Sequence, residues 1–127
     1  MKNKFLETGE HGYHPVRKFK IILSGLRFAV LYDFSVMYKI VVSIVILIPV
    51  FIFNEWIDAS LIILSTGVML TAELFNTAIE AVCDFMETRY NEKIRIIKDI
   101  AAAATGITIF VWMALLCLES IKLFKAF

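Results

Sequence analysis

Five polar residues recur at helical spacing within a stretch that is otherwise mostly apolar. They lie at offsets of 0, 3, 4, 7 and 11 residues and are Glu73, Asn76, Thr77, Glu80 and Asp84. At about 100° per residue, they share an arc of roughly 100° on one helix face. Carboxylates inside apolar membrane helices are costly, and they usually face a protein interior and serve a function. This polar stripe is therefore the first candidate for a chemical site.

The acids of the polar stripe suit phosphoryl chemistry. Glu80 and Asp84, together with Asp99 farther along the chain, are hard oxygen ligands of the kind that hold Mg²⁺ with substrate phosphates. Glu73 is the carboxylate placed deepest in the apolar segment, which suits a general base that accepts a hydroxyl proton. Asn76 can donate and accept hydrogen bonds. The alternative is that these groups only join helices in an oligomer.

A basic segment follows the polar stripe and ends at Asp99. It contains Arg89, Tyr90, Asn91, Lys93, Arg95 and Lys98. Its cations could neutralise a polyphosphate, and they also fit the excess of Lys and Arg that is typical of cytoplasmic loops. Neither GxxxxGK[ST] nor GxGxxG occurs, which excludes a P-loop, a Rossmann site and a protein-kinase glycine loop.

Three long apolar segments must position these residues. Of the 127 residues, 60% are apolar and only 20% are charged, whereas soluble domains average about 45–50% apolar. A membrane helix needs about 20 mostly apolar residues, and we expect spans at about 36–56, 59–85 and 99–120. The first span reaches this length only if Lys39 extends its side chain to the headgroups. The sequence thus predicts an all-α integral membrane protein.

The cations predict the orientation of these spans. Lysines and arginines concentrate before the first span and between the second and third, and residues 54–58 contain none. The N-terminus and the second link should therefore be cytoplasmic, in a multi-pass protein of the inner (cytoplasmic) membrane. Lys122 and Lys125 would then lie outside, against this rule. The first 35 residues show no apolar stretch followed by a cleavage site, so we expect no signal peptide.

The residues before the first span differ in pattern. Apolar residues repeat at offsets of 0, 3, 4, 7 and 11 from Phe19 to Val30, with Arg17, Lys20 and Arg27 on the other side. This predicts an amphipathic surface helix over about 16–34 that carries Asp33. Residues 1–15 are expected to form a flexible arm, and residues 16–127 one membrane-embedded domain.

Charge and cysteine content exclude other classes of protein. Thirteen cations and twelve anions give a net charge of +1, which offers no field for nucleic acid. Cys83 and Cys117 lie in apolar runs without CxxC spacing. A disulfide framework and a structural zinc site are therefore not expected.

Residues 73–84 read ELFNTAIEAVCD and are followed by Lys98-Asp99. This resembles the signature E-x-x-N-[ST]-A-I-E-x-x-x-D…K-D of the small bacterial integral-membrane diacylglycerol kinases, whose Gram-positive relatives phosphorylate undecaprenol. The resemblance extends to Gly25-Leu26-Arg27 and to the acidic residue six positions after that arginine. It spans roughly residues 16–125 and includes a specific twelve-residue motif.

The resemblance implies a homotrimer of three-span protomers, each with a surface helix. Such an enzyme uses ATP and Mg²⁺ to phosphorylate a membrane lipid alcohol, foremost 1,2-diacylglycerol, to phosphatidic acid. By position, Glu73 would be the catalytic base, Glu80 a metal ligand and Asn76 a supporting polar group. Lys98 and Asp99 would contact the nucleotide.

Further roles follow from the same resemblance. Arg89, Tyr90 and Asn91 would lie near the nucleotide, and Arg17 is our match for an arginine near the family's N-terminus. Asp33 occupies the position of a glutamate on the surface helix that is the second metal ligand. Its side chain is shorter by one methylene, which leaves the strength of metal binding open.

Three other functions remain compatible with the sequence. An undecaprenol kinase would share the motif, because the lipid chain is recognised by apolar residues that do not discriminate. A non-enzymatic oligomer could conduct ions or protons through Glu73 and Glu80, but it would leave Lys98, Asp99 and Asp33 unexplained. A scaffold subunit is favoured only if ATP does not bind.

Overall fold

The computed structural model describes residues 14–53 and 55–126. They form four α-helices, α1 (Pro15–Tyr32), α2 (Phe34–Ile52), α3 (Trp56–Met86) and α4 (Glu92–Ala126), and this part of the chain contains no strand. By length and composition, α2, α3 and α4 can each cross a membrane. The predicted all-α, three-span architecture is therefore confirmed. Of the predicted arm, residues 1–13 lie outside the described residues.

The chain divides into two compact units, which meet in sequence between Tyr32 and Asp33. In the first unit, α1 begins at Pro15, where a fixed φ and a missing N–H suit the first helical position. The backbone N–H of Lys18 donates to the carbonyl of His14 at 3.1 Å. Gly25 lies within α1 without interrupting it. The location of α1 on a membrane surface stays a prediction.

Asp33 begins the second unit as the N-cap of α2. Its backbone is extended (φ −117°, ψ 100°), and its Oδ1 accepts a hydrogen bond from the backbone N–H of Ser35 at 2.8 Å. Aspartate favours this position because its short carboxylate satisfies a free N–H of the first turn. Asp33 therefore belongs to the start of α2 and not, as the sequence suggested, to the surface helix.

Helices α2, α3 and α4 pack together, with the most extensive contact between α3 and α4. Their shared core consists of Val50, Ala59, Ile62, Met69, Trp112 and Leu116. Many large apolar side chains on these helices are exposed, among them Val45, Ile63 and Phe110. A small core inside a mostly apolar exterior fits a multi-pass membrane protein, in which lipid or another protein covers the outer surface.

Helices α3 and α4 are longer than a bilayer requires. They contain 31 and 35 residues, or about 46 Å and 52 Å at 1.5 Å per residue, against a hydrocarbon thickness of about 30 Å. Compared with the predicted span of about 99–120, α4 is extended at both ends, since it begins at Glu92 and ends at Ala126. Lys93, Arg95 and Lys98 are therefore helical residues and not part of a loop.

Candidate active site

The polar stripe continues the buried face of α3 toward the Met86 end of that helix. Met69 is fully buried, and Glu73 one turn later is only 6% exposed. Asn76 and Glu80 are half-buried, and the side chain of Asp84 is 68% exposed. The stripe thus passes from the protein interior to an exposed surface, as the sequence pattern predicted.

Glu73 is paired with a buried cation. Lys39 on α2 is 2% exposed, and its Nζ forms an ion pair with Glu73 Oε1. The same Nζ donates to Ser35 Oγ at 2.6 Å. The expectation that Lys39 extends to the headgroups is therefore wrong, because a buried carboxylate offers the ammonium a better partner.

Sequence reasoning missed this pair, although a pattern on α2 indicates that Lys39 faces the protein interior. Ser35, Lys39 and Ser43 occur every four residues, which places all three on one face of α2. A lysine flanked by two serines in this way predicts a polar face toward the protein interior. The position of the lysine alone, near one end of the span, suggested the headgroups instead.

A second polar cluster, centred on Ser43, lies next to the ion pair. Ser43 Oγ donates to the carbonyl of Lys39 at 2.9 Å. It accepts from Thr66 Oγ1 at 3.0 Å and from Trp112 Nε1 at 2.9 Å. A hydroxyl has one donor and two acceptor positions, so Ser43 is fully satisfied. This cluster joins α2, α3 and α4 within one turn of Lys39.

Asn76 and Glu80 form a further polar pair on α3. Asn76 Nδ2 donates to Glu80 Oε1 at 3.0 Å. Asn76 Oδ1 is buried and has no hydrogen-bond partner among the described residues. Buried polar atoms are nearly always satisfied, so an orphaned one needs an explanation such as a ligand or water. The Asn76 amide, with its unsatisfied oxygen, and the Glu80 carboxylate therefore lie next to each other between the buried Glu73 and the exposed Asp84.

Asp84 and Asp99 are each paired with a cation. Asp84 Oδ1 accepts from Lys98 Nζ at 2.9 Å. Asp99 Oδ2 accepts from Arg95 Nη1 at 2.8 Å, and Arg95 Nη2 also bonds Glu92 Oε1 at 2.5 Å. Over the described ranges, no three His, Cys, Asp or Glu residues come together as a metal cluster. A joint role of Glu80, Asp84 and Asp99 in holding a metal therefore stays a prediction.

The segment between α3 and α4 is exposed and organised by local hydrogen bonds. Asn91 caps α4, because its Oδ1 accepts from the backbone N–H of Lys93 at 3.0 Å. Tyr90 donates its hydroxyl to Glu92 Oε2 at 2.6 Å. The backbone N–H of Arg89 donates to the Glu87 carboxylate at 3.0 Å. The structure thus gives Asn91 a role in starting α4, besides any contact with nucleotide.

A groove of about 730 Å³ lies between α3 and α4 beside Asn76. Its walls include several small residues, among them Gly67, Thr71, Ala72, Ala101 and Ala104. Thr105 Oγ1 on α4 donates a hydrogen bond to the carbonyl of Ala72 on α3 at 3.2 Å and so links the two helices beside the groove. The groove gives Asn76 an apolar neighbourhood.

A separate charged cluster lies at the opposite end of the bundle. Lys122 Nζ donates to Asp58 Oδ1 and to Glu119 Oε1, each at 3.0 Å. The Glu119 side chain is only 5% exposed. By the positive-inside rule Lys122 stood out as a cation expected outside, and the sequence pattern gave no sign of these partners. Two carboxylates face this ammonium, so the cluster as a whole is not basic.

Most of the chain matches a known family. A profile of the prokaryotic diacylglycerol kinases matches residues 20–118. The matched segment contains Asp33, the polar stripe, the 89–91 segment and the Lys98-Asp99 dipeptide, and it leaves out Arg17. No curated relative matches the sequence closely enough for comparison. The chain therefore belongs to the prokaryotic diacylglycerol kinase family and is a membrane lipid kinase of that type.

Proposed function

We propose that this protein transfers the γ-phosphoryl group of ATP to the hydroxyl of 1,2-diacylglycerol, producing phosphatidic acid and ADP. The observation that carries the proposal is the polar stripe of α3, in a helix able to cross a membrane. It presents a buried carboxylate at Glu73 and an exposed, cation-paired acid at Asp84. A membrane-bound alcohol and a water-soluble phosphoryl donor need such a site, which joins an apolar region to an aqueous surface.

Glu73 is the proposed base. The acceptor hydroxyl loses its proton to a Glu73 oxygen while its oxygen forms a bond to Pγ. The bond between Pγ and the bridging oxygen breaks, and ADP leaves with that electron pair. Catalysis comes mostly from positioning and charge neutralisation, since phosphoryl transfer needs little covalent help from the protein.

The residues present fit Mg²⁺ bound together with nucleotide phosphates. Proteins usually hold Mg²⁺ through one or two carboxylates, with phosphate oxygens and waters completing its shell. Asn76 offers an orphaned amide oxygen, and its Nδ2 donates to the neighbouring carboxylate of Glu80. Glu80 and Asp33 are the proposed carboxylate ligands. When bound, Mg²⁺ would neutralise phosphate charge during transfer.

The nucleotide is proposed to lie over the start of α4. Lys98 and Asp99 are its proposed contacts. In this structure, Lys98 bonds Asp84 and Asp99 bonds Arg95. Both are partly exposed, so these pairs are weak and can exchange for phosphate or ribose partners. Arg89, Tyr90 and Asn91 are exposed beside them. Arg17 is proposed to contact the substrate from α1.

We further propose a homotrimer in the cytoplasmic membrane, with the N-terminus and the α3–α4 link in the cytoplasm. Three packed helices bury little of their surface and enclose no complete metal cluster in the part of the chain described. A neighbouring protomer would close the site. The cations of α1 and of the 89–98 segment support this orientation by the positive-inside rule.

Phosphoryl transfer in mixed micelles tests the proposed function. Purified protein receives γ-labelled ATP and Mg²⁺, and 1,2-diacylglycerol, ceramide and undecaprenol are offered in separate reactions. We expect label in the diacylglycerol product. Label in undecaprenol alone would overturn the proposed acceptor but keep the kinase chemistry, and label in none of the three lipids would overturn the kinase proposal.

A further inference from the structure

Lys39 is a buried cation that the proposed chemistry does not yet use. It is 2% exposed and lies on α2, facing Glu73 of α3. Its Nζ contacts Ser35 Oγ and Glu73 Oε1, and it lies 5.5 Å from the ring centroid of Tyr38. Lysine is almost never fully buried unless it is paired. Its burial here depends on Glu73.

The contacts of Lys39 fix its position from several directions. Its backbone carbonyl accepts from Ser43, whose hydroxyl is also held by Thr66 and Trp112. Ser35 is held in turn, because its backbone N–H bonds the Asp33 carboxylate at 2.8 Å. The ammonium itself is held by Ser35 Oγ as well as by Glu73, which restricts the rotamers of the Lys39 side chain. The ammonium is therefore preorganised rather than free to follow Glu73.

The ion pair treats the two oxygens of Glu73 differently. Lys39 bonds Oε1, and the described residues supply no hydrogen bond to Oε2. An ammonium in contact with one oxygen stabilises the negative charge of the carboxylate where water cannot. It also occupies Oε1, so that Oε2 is the oxygen left to accept a proton. A single open oxygen suits a base that must accept one proton from one hydroxyl.

We infer that Lys39 is a positioning residue for the catalytic base. Its ammonium holds Oε1 of Glu73 and thereby orients the carboxylate, and Oε2 of Glu73 receives the proton of the acceptor hydroxyl. This inference rests on the proposed function, in which Glu73 is the base. It assigns a catalytic purpose to a lysine of α2, outside the acidic motif of α3. It also predicts that Ser35 and Ser43 act indirectly, through Lys39.

The test compares Lys39→Met, Lys39→Gln and Lys39→Arg with the wild type in mixed micelles. Initial rates are measured against MgATP and against the lipid acceptor, and rates are expressed per folded protein from circular dichroism and gel filtration. Methionine removes the charge and the hydrogen bonds, glutamine keeps a hydrogen-bond donor, and arginine keeps both. The matched control is Lys122→Met, which removes an ion-paired lysine at the opposite end of the bundle.

We expect kcat to fall at least tenfold in Lys39→Met and by an intermediate factor in Lys39→Gln. Lys39→Arg should recover most of the rate, and KM for MgATP should change less than threefold throughout. The Lys122→Met control should keep the wild-type kcat.

Two results would overturn the inference while leaving the kinase proposal intact. One is a wild-type kcat in folded Lys39→Met or Lys39→Gln. The other is an equal loss of kcat in Lys39→Arg and Lys39→Met. A merely structural lysine would lower the yield of folded protein but leave the kcat of the folded fraction unchanged. Absence of transfer by the wild type would instead overturn the proposed function, and this inference with it.

Discussion

The buried pair of Lys39 and Glu73 makes a quantitative prediction about stability. Removal of one partner leaves the other charge buried, since Lys39 is 2% exposed and the Glu73 side chain 8% exposed. An uncompensated buried charge costs about 3–5 kcal/mol, whereas removal of both charges of a buried pair is often nearly neutral. We therefore expect Lys39→Met and Glu73→Gln each to lower the free energy of unfolding by about 3 kcal/mol or more.

The double variant separates pairing from simple loss of packing. If the two residues acted independently, the losses would add to about 6 kcal/mol or more. The structure predicts that Lys39→Met/Glu73→Gln lies within about 2 kcal/mol of the wild type, because no buried charge remains. The coupling energy should therefore be about 4 kcal/mol or larger.

Denaturant titration in mixed micelles at one protein concentration measures these values, since an oligomer's stability depends on protomer concentration. The chain has two tryptophans, and Trp112 is 4% exposed whereas Trp56 is 64% exposed. A Trp56→Phe background makes the fluorescence report the core around Trp112. Additive losses in the double variant would refute the buried ion pair.

Three further predictions address separate parts of the molecule. Glu80→Ala should raise the Mg²⁺ concentration for half-maximal transfer by about tenfold or more, and an unchanged Mg²⁺ dependence would exclude Glu80 as a ligand. Ser43→Ala should lower the free energy of unfolding by about 1–3 kcal/mol, because Trp112 Nε1 loses its acceptor; wild-type stability in the same titration would contradict this network. Lys122→Met should lower the melting temperature, because Glu119 keeps a buried carboxylate without its cation, and should not change the rate of transfer per folded protein; a lower rate would connect this end of the bundle to the site.

Periodicity predicted the three spans and the polar stripe, because a helix that is apolar for twenty residues leaves few alternatives. The stripe is as buried at Glu73 and as exposed at Asp84 as its spacing indicated. Helix capping determines where α2 and α4 begin, which periodicity alone does not define. Asp33 ends up as the N-cap of α2 and Asn91 caps α4, so both helices begin elsewhere than hydropathy alone suggested.

Tertiary pairing was the part that sequence reasoning could not supply. Lys39 and Glu73 are 34 positions apart on two different helices. Their pairing depends on how α2 packs against α3, and local sequence patterns do not contain that information. The same holds for Lys122, which finds Asp58 from 64 positions away.

A lipid kinase site built around Glu73 requires that carboxylate for phosphoryl transfer. Phosphoryl transfer from γ-labelled ATP to 1,2-diacylglycerol is measured for the wild type and for Glu73→Gln, with each rate normalised to folded protein. We expect lipid phosphorylation by the wild type and a loss of at least about a hundredfold in Glu73→Gln, within the range that a general base supplies. Comparable rates for the two proteins would contradict the role of Glu73, and no transfer by the wild type would contradict the assignment of the site.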